Sequence, residues 1–153
     1  MHRRLLGSRS GGRPYDADVA IELPDDVRAF LERPNPAVMA TLAKDGRPVS
    51  VATWYLLEPD GRVLLNLDGE RVRLNHIRRD PRIALTVLDS ANWGTHVSLQ
   101  LSVVEVSDDG DLSDIDALAV QYSGAPYQAR DRRRVSARAE ILSWHGWGAF
   151  AES

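Results

Sequence analysis

Arg71-Val-Arg-Leu-Asn-His-Ile-Arg-Arg-Asp-Pro-Arg82 sets six basic side chains, counting His76, within twelve residues. It lies between two apolar runs, Val63-Leu-Leu-Asn-Leu67 and Ile83-Ala-Leu-Thr-Val-Leu88, which read as short strands bounded by turn residues. The basic stretch is therefore a short connecting helix. Asp80-Pro81 ends it, because proline disfavours a helical residue before it and supplies no N–H. Helical spacing puts Leu74, Ile77 and Arg78 on one face and Arg71, Asn75 and Arg79 on another. One face packs, and the other is either plain solvated surface or a place to meet something multiply anionic.

Working outward, Ala37-Val-Met-Ala-Thr-Leu-Ala43 and the apolar run over residues 48–57 are strands. Lys44-Asp-Gly-Arg47 and Glu58-Pro-Asp-Gly-Arg62 are the turns that follow them, and Asp-Gly marks both. That pattern predicts an antiparallel meander. Residues 24–33 open on proline and two acids and space Val27, Phe30 and Leu31 on one face, which predicts a short amphipathic helix. Residues 96–106 alternate as a half-buried strand does. Residues 111–122 carry acids early and Ile115, Leu118, Ala119 and Tyr122 at helical spacing, ending at Ser123-Gly-Ala-Pro126. A last strand is expected over residues 135–143, although Ala137-Arg138-Ala139 weakens it. About six strands with few helices predict a mainly β fold, a small closed antiparallel barrel with flanking helices.

Residues 1–22 contain Gly-Ser-Arg-Ser-Gly-Gly-Arg and little that could pack, so they read as a flexible N-terminal arm. Residues 23–153 then form one domain, the size that 153 residues at 43% hydrophobic content would give. The net charge of −3 and pI near 5.8 argue against a general nucleic-acid binder, and point the basic cluster at a small anion. The absence of cysteine removes thiolate nucleophiles, disulfides and cysteine metal sites together. No apolar run approaches the roughly 20 residues that cross a bilayer, and no signal-peptide centre is present, so a soluble cytoplasmic protein is expected.

Gly7 to Arg13 has no strand before it and no Gly-x-x-x-x-Gly-Lys occurs, which excludes dinucleotide and P-loop fingerprints. His2, His76, His96 and His145 each stand alone, so no metal site is expected. Ordinary roles suffice: His76 as a solvated helix residue, His145 as a ring packed between Trp144 and Trp147. No serine sits in a nucleophile elbow.

Three pieces of the chain carry a resemblance: Ala40-Thr-Leu-Ala-Lys-Asp-Gly-Arg-Pro48, then Thr53-Trp-Tyr55, then Arg71-Val-Arg73 with Ile77-Arg-Arg-Asp-Pro-Arg82. Together they resemble the split-barrel family of pyridoxamine 5′-phosphate oxidase, which binds FMN, and within it the branch that uses the deazaflavin coenzyme F420. The likeness runs from about residue 37 to 88 and resumes weakly near Arg132. It implies a six-stranded antiparallel split β-barrel and a homodimer with two cofactor sites at the interface. By position, Arg71 and Arg73 would grip the cofactor phosphate with Asn75 and His76 nearby, and Arg134 would reach in from the partner subunit. Val49, Ser50, Thr53 and Trp54 would form the floor under the ring, and Trp54 or Trp93 an apolar wall. Arg73 stands where relatives commonly have lysine, a change that keeps charge but not geometry.

The implied activity is an F420-dependent reductase that passes a hydride to an unsaturated organic acceptor. No catalytic residue is assigned, since Tyr55, Tyr127, His76 or solvent could supply the proton. An FMN-dependent flavoprotein is the alternative, and a non-catalytic F420 carrier a third. Surplus cations such as Arg78, Arg79, Arg132 and Arg133 favour the polyglutamate-tailed deazaflavin over FMN. Residues 108–128 match no motif and would shape the substrate pocket.

Overall fold

The computed structural model describes residues 8–12 and 21–151. Eight strands and three helices follow one another as β1 (Ser8–Gly12), α1 (Asp25–Leu31), β2 (Ala37–Leu42), β3 (Pro48–Thr53), β4 (Leu56–Leu57), β5 (Val63–Asp68), α2 (Val72–Arg79), β6 (Arg82–Leu88), β7 (His96–Asp108), α3 (Ser113–Ser123) and β8 (Arg134–Ala151). The strands pair antiparallel in the order β3-β2-β6-β7-β8-β5-β4, with β1 added to β8. β3 and β4 occupy opposite ends of that order, yet only Trp54 and Tyr55 separate them in sequence. Two residues can join the ends only if the sheet curls until they meet. The result is a six-stranded split barrel, with β1 and the two-residue β4 as additions to the six longer strands.

The two Asp-Gly turns form as expected. Gly46 and Gly61 take φ of 85° and 86°, the left-handed region that a side chain resists, and Asp45 and Asp60 each accept the backbone N–H two residues on. The expected continuous strand over 48–57 does not form, and the simple meander fails with it. β3 stays beside β2 while β4 leaves to pair with β5, and β6 returns through α2 to pair with β2. The physical reason is the pair at the break. Tyr55 is fully buried and donates its hydroxyl to the Arg33 carbonyl, while Trp54 turns outward to stack on Tyr122.

Alternation along β2 and β6 sends Met39, Leu85 and Val87 inward, where they meet Val97, Leu99 and Leu101 of β7. Each such residue stabilises the fold by roughly 1.5–3 kcal/mol on burial. Val27, Phe30 and Leu31 of α1 enter the same core, as their spacing predicts, with Phe30 4.9 Å from the Phe150 ring. The unbroken run Val63-Leu64-Leu65 is buried on both faces of β5. Val63 and Leu65 face the barrel core, while Leu64 packs outward against Ile115 and Leu118 of α3.

Two further differences concern the ends. β8 runs eighteen residues, well past the expected limit at 143, because it spans β7 on one side and both β5 and β1 on the other. Ala137 and Ala139, which weakened the sequence reading, are fully buried small residues inside the barrel. Within the expected arm, Ser8–Gly12 is a strand on β8 rather than a flexible tail. Gly11 lies against Trp144, where a Cβ would come within 2.4 Å of the indole nitrogen. The rest of the arm, residues 1–7 and 13–20, lies outside the described residues. No helix among the described residues is long and apolar enough to cross a membrane.

Candidate functional site

α2 forms where its sequence requires, from Val72 to Arg79, and Asp80 stops it in extended conformation with its carboxylate closed on the Arg82 guanidinium at 2.7 Å. Leu74 and Ile77 are buried against the barrel, as expected. Arg78 is exposed, so it does not share their packed face. His76 takes that place instead. It is buried, and its Nδ1 shares a 2.9 Å hydrogen bond with Thr41 Oγ1 on β2. A solvated His76 is therefore corrected: residue 76 lies on the inner side of the helix facing Thr41 of β2, and its ring is committed there.

The other end of α2 is electrostatically odd. Its N-cap is Arg71, no side chain caps it, and no acid stands in its first turn. Carboxylates favour helix N-termini and cations do not. Arg73 is half-buried, and its Nη1 is enclosed without any hydrogen-bond partner among the described residues. Burial lowers the Arg73 pKa from its ordinary value, and repulsion from Arg71 and Arg134 lowers it further. Arg71 and Arg134 both act on Arg73 as like charges, and Asp68, which binds Arg132, also lies within electrostatic reach of Arg134. Arg132 and Arg133, by contrast, are neutralised by Asp68 and Asp108, each at 2.7 Å.

Beside this cluster lies a cavity of about 630 Å³, within the range of small-molecule and cofactor sites. β3 and the break after it supply Ala52, Thr53 and Trp54; α3 and the loop after it supply Ile115, Leu118, Tyr122 and Tyr127. Trp54 and Tyr122 stack with ring centroids 5.4 Å apart at 9°, and Tyr127 meets Trp54 edge-on at 6.4 Å. These rings make a flat apolar corner. The region over 108–128, expected to shape the pocket, does form this wall.

Among the described residues, one charged side chain lines the cavity, that of Arg134. Its guanidinium lies 5.1 Å over the Tyr127 ring and donates from Nε to Asn66 Oδ1 at 2.9 Å. Asn66 is fixed in turn: its Nδ2 donates to Asp109 Oδ2 and Ser136 Oγ, each at 3.1 Å. Asp109 is buried and accepts the Asp114 and Ile115 N–H groups at the start of α3. Ser136 donates to Asp114 at 2.6 Å, and Arg138 joins Asp114 to Glu58. Asn66, Asp109 and Ser136 were not singled out from sequence. Asn66 reads there as one polar residue in an apolar strand, the only local signal it gives.

The expected site residues therefore divide. Thr53, Trp54 and Arg134 line the cavity, and Arg71 and Arg73 stand at the neighbouring basic cluster, with Asn75 exposed on α2. Arg134 lines the cavity of its own chain, where the resemblance implied a reach from the partner subunit. Val49 and Ser50 lie further along β3, half-buried and exposed. Trp93 sits in the turn between β6 and β7, 76% exposed, neither in the core nor on the cavity. Of the proton-donor candidates, Tyr55 is sealed away and burial raises its pKa far above the ordinary phenol range. Tyr122 is pushed up to about 12 by burial and donates to the Asn35 carbonyl. Tyr127 faces the cavity. No cluster of three or more metal-ligating side chains occurs among the described residues. His145 lies against Trp147 at 4.2 Å, and Trp147 stacks on His96, so the expected sandwich with Trp144 does not form. Adjacent strand residues point to opposite faces, which puts Trp144 in the core.

Residues 23–148 match the family described as pyridoxamine 5′-phosphate oxidase. Among solved structures, an F420 reductase superposes with a TM-score of 0.72 at 22% identity, covering 80% of this chain and 98% of that one. A conserved hypothetical protein of Mycobacterium tuberculosis gives 0.66 at 21% identity, covering 88% and 89%. General stress protein 26 of Bacillus anthracis gives 0.60 at 10% identity, covering 80% and 92%. No curated protein matches the sequence.

Proposed function

Because this chain belongs to the pyridoxamine 5′-phosphate oxidase family, we propose that it is an oxidoreductase that binds coenzyme F420 and reduces an unsaturated organic acceptor. The observation that carries this reading is the enclosed Arg73 Nη1 without a partner, beside Arg71 and Arg134 at the uncapped start of α2. A cation with an unused donor, repelled by its neighbours, is stabilised by an anion that accepts charge-assisted bonds. Arg71 and Arg73 hold the cofactor phosphate. When bound, the reduced deazaflavin supplies a hydride. Ala52, Thr53 and Trp54 flank its ring, the aromatic corner takes the acceptor, and together they exclude water. Tyr127 is the candidate proton donor on the cavity. The superposition on an F420 reductase supports the choice of cofactor.

FMN in the same place is the second reading, and one observation favours it. Arg132 and Arg133 are bound to Asp68 and Asp108, so the surplus charge for a polyglutamate tail reduces to Arg78 and Arg79. The functional unit is a homodimer. β3 supports this, being paired on one side alone with Val51 and Trp54 exposed, a strand edge of the kind that proteins cover.

Equilibrium titration with F420 and separately with FMN, read by tryptophan quenching, tests the reading. Tight F420 binding with weak FMN binding is expected. Preference for FMN moves the assignment to the second reading, and binding of neither removes both.

A further inference from the structure

We propose that Arg134, held in place by Asn66, is the anchor for a carboxylate on the acceptor, so that the substrate is a flat unsaturated acid rather than a neutral molecule. This deepens the oxidoreductase reading above and rests on it. Asn66 sets the orientation of the guanidinium. Asp109 can only accept, so the Asn66 amide must turn its Nδ2 toward Asp109 and its Oδ1 toward Arg134. That orientation occupies Arg134 Nε, and the Asn66 carbonyl accepts from Nη2 at 3.4 Å. The remaining guanidinium N–H groups, Nη1 foremost, have no acceptor among the described residues. The Tyr127 ring lies 5.1 Å from the centre of the guanidinium as well. Arg134 is thus a prepared fork, and a carboxylate is the group that fits one bidentately.

Its surroundings select the rest of the ligand. Among the described residues, no carboxylate lines the cavity. Of the nearby acids, Asp68 acts on Arg134 without a hydrogen bond and is bound by Arg132, Asp109 is engaged by the start of α3, and Asp114 by Ser136 and Arg138. The same cavity is lined by the parallel Trp54–Tyr122 pair, whose outer face a flat unsaturated molecule covers by stacking. A neutral occupant would strip water from the guanidinium and return nothing for it. Arg71 and Arg73, which serve the phosphate, do not line this cavity, so the two anions have separate receptors.

The test uses 2-naphthoate and its neutral analogue 2-naphthamide as probes, titrated calorimetrically into the full-length protein. Wild type is expected to take naphthoate at least tenfold more tightly than the amide. Arg134→Gln should erase that preference, while F420 affinity, which also loses a neighbouring cation, falls by less than when Arg71 and Arg73 are both replaced by alanine. Arg134→Lys keeps the charge but not the fork, and should retain a preference of a few fold, which shows that a loss in Arg134→Gln is not a folding defect. Equal affinity for acid and amide in wild type, or a preference that survives in Arg134→Gln, overturns the proposal. Loss of F420 affinity in Arg134→Gln as large as in that double variant would assign the arginine to the cofactor and overturn it too, leaving the oxidoreductase reading intact. Selective naphthoate binding by a protein that takes neither F420 nor FMN would sink the cofactor reading instead.

Discussion

α2 and α3 sit near one ligand cavity and are begun in opposite ways. α3 opens on Asp109, a buried carboxylate that accepts two of its first N–H groups, and carries Asp114 and Asp116 in its first turn. Its positive end is satisfied from within. α2 opens on Arg71 with no cap and no acid, and places the half-buried Arg73 within its first turn. Its positive end is made more positive still. A folded chain tolerates such a start where packing of Leu74, His76 and Ile77 holds the helix regardless, and where the deficit is made good by a bound anion. The contrast is between a helix end satisfied from within the fold and one that is not.

The largest effect should come from breaking the second kind. Replacing Arg71 and Arg73 together by alanine removes two charge-assisted contacts worth about 1.5–3 kcal/mol each, hence roughly 10²–10⁴-fold in affinity for a phosphate-bearing cofactor. The melting temperature of the free protein should hold steady or rise, because two mutually repelling cations are gone. A variant that melts markedly lower, or that binds the cofactor as wild type does, would show that these arginines are structural. The comparison predicts the reverse for Asp109→Ala. That change leaves the start of α3 and the Asn66 amide without their acceptor, and should cost about 1–3 kcal/mol of stability in chemical denaturation. Cofactor phosphate affinity should change by less than threefold, since α2 is untouched. If Asp109→Ala weakens phosphate binding as strongly as the double arginine change does, the two helix ends are not separable.

Sequence made α2 legible and α3 partly so. Helical spacing, the Asp80-Pro81 stop and the flanking strands are local signals, and the two Asp-Gly turns are read from adjacent residues alone. What escaped is nonlocal. His76 is buried because Thr41 lies across from it, 35 positions away. Asn66 matters because Asp109, Ser136 and Arg134 converge on it from other elements. Trp54-Tyr55 gives no hint that the chain there passes between the two ends of the sheet, because that depends on which strands pair. The glycines near the N-terminus misled for a different reason. Gly11 reads as flexibility, yet it is the residue small enough to lie against Trp144. The family resemblance pointed to Arg71, Arg73 and Arg134, but that Arg134 lines a cavity and is held by Asn66 while Arg71 and Arg73 lie off it follows only from the fold.

The far end of α2 offers the smallest and cleanest refinement. There Asp80 accepts the Arg82 backbone N–H and binds its guanidinium, and the hydrogen bond to that side chain is the main reason its pKa falls to about 2 from an ordinary 3.8. A carboxylate whose pKa is depressed in the fold contributes stability above its unfolded value and loses it as pH falls through the folded one. The contribution should therefore be complete above about pH 4 and gone near pH 2. Asp26, Asp60 and Asp68 are shifted the same way, so acid weakens the whole protein, and only a difference isolates Asp80. Asp80→Asn should melt slightly below wild type at pH 6, with the gap closing as both are taken to pH 2. A gap that persists at pH 2 would mean that residue 80 acts through backbone geometry alone. A gap that closes would leave α2 with a charge-balanced C-terminus and an unbalanced N-terminus, the asymmetry expected of a helix whose missing counter-charge arrives with its ligand.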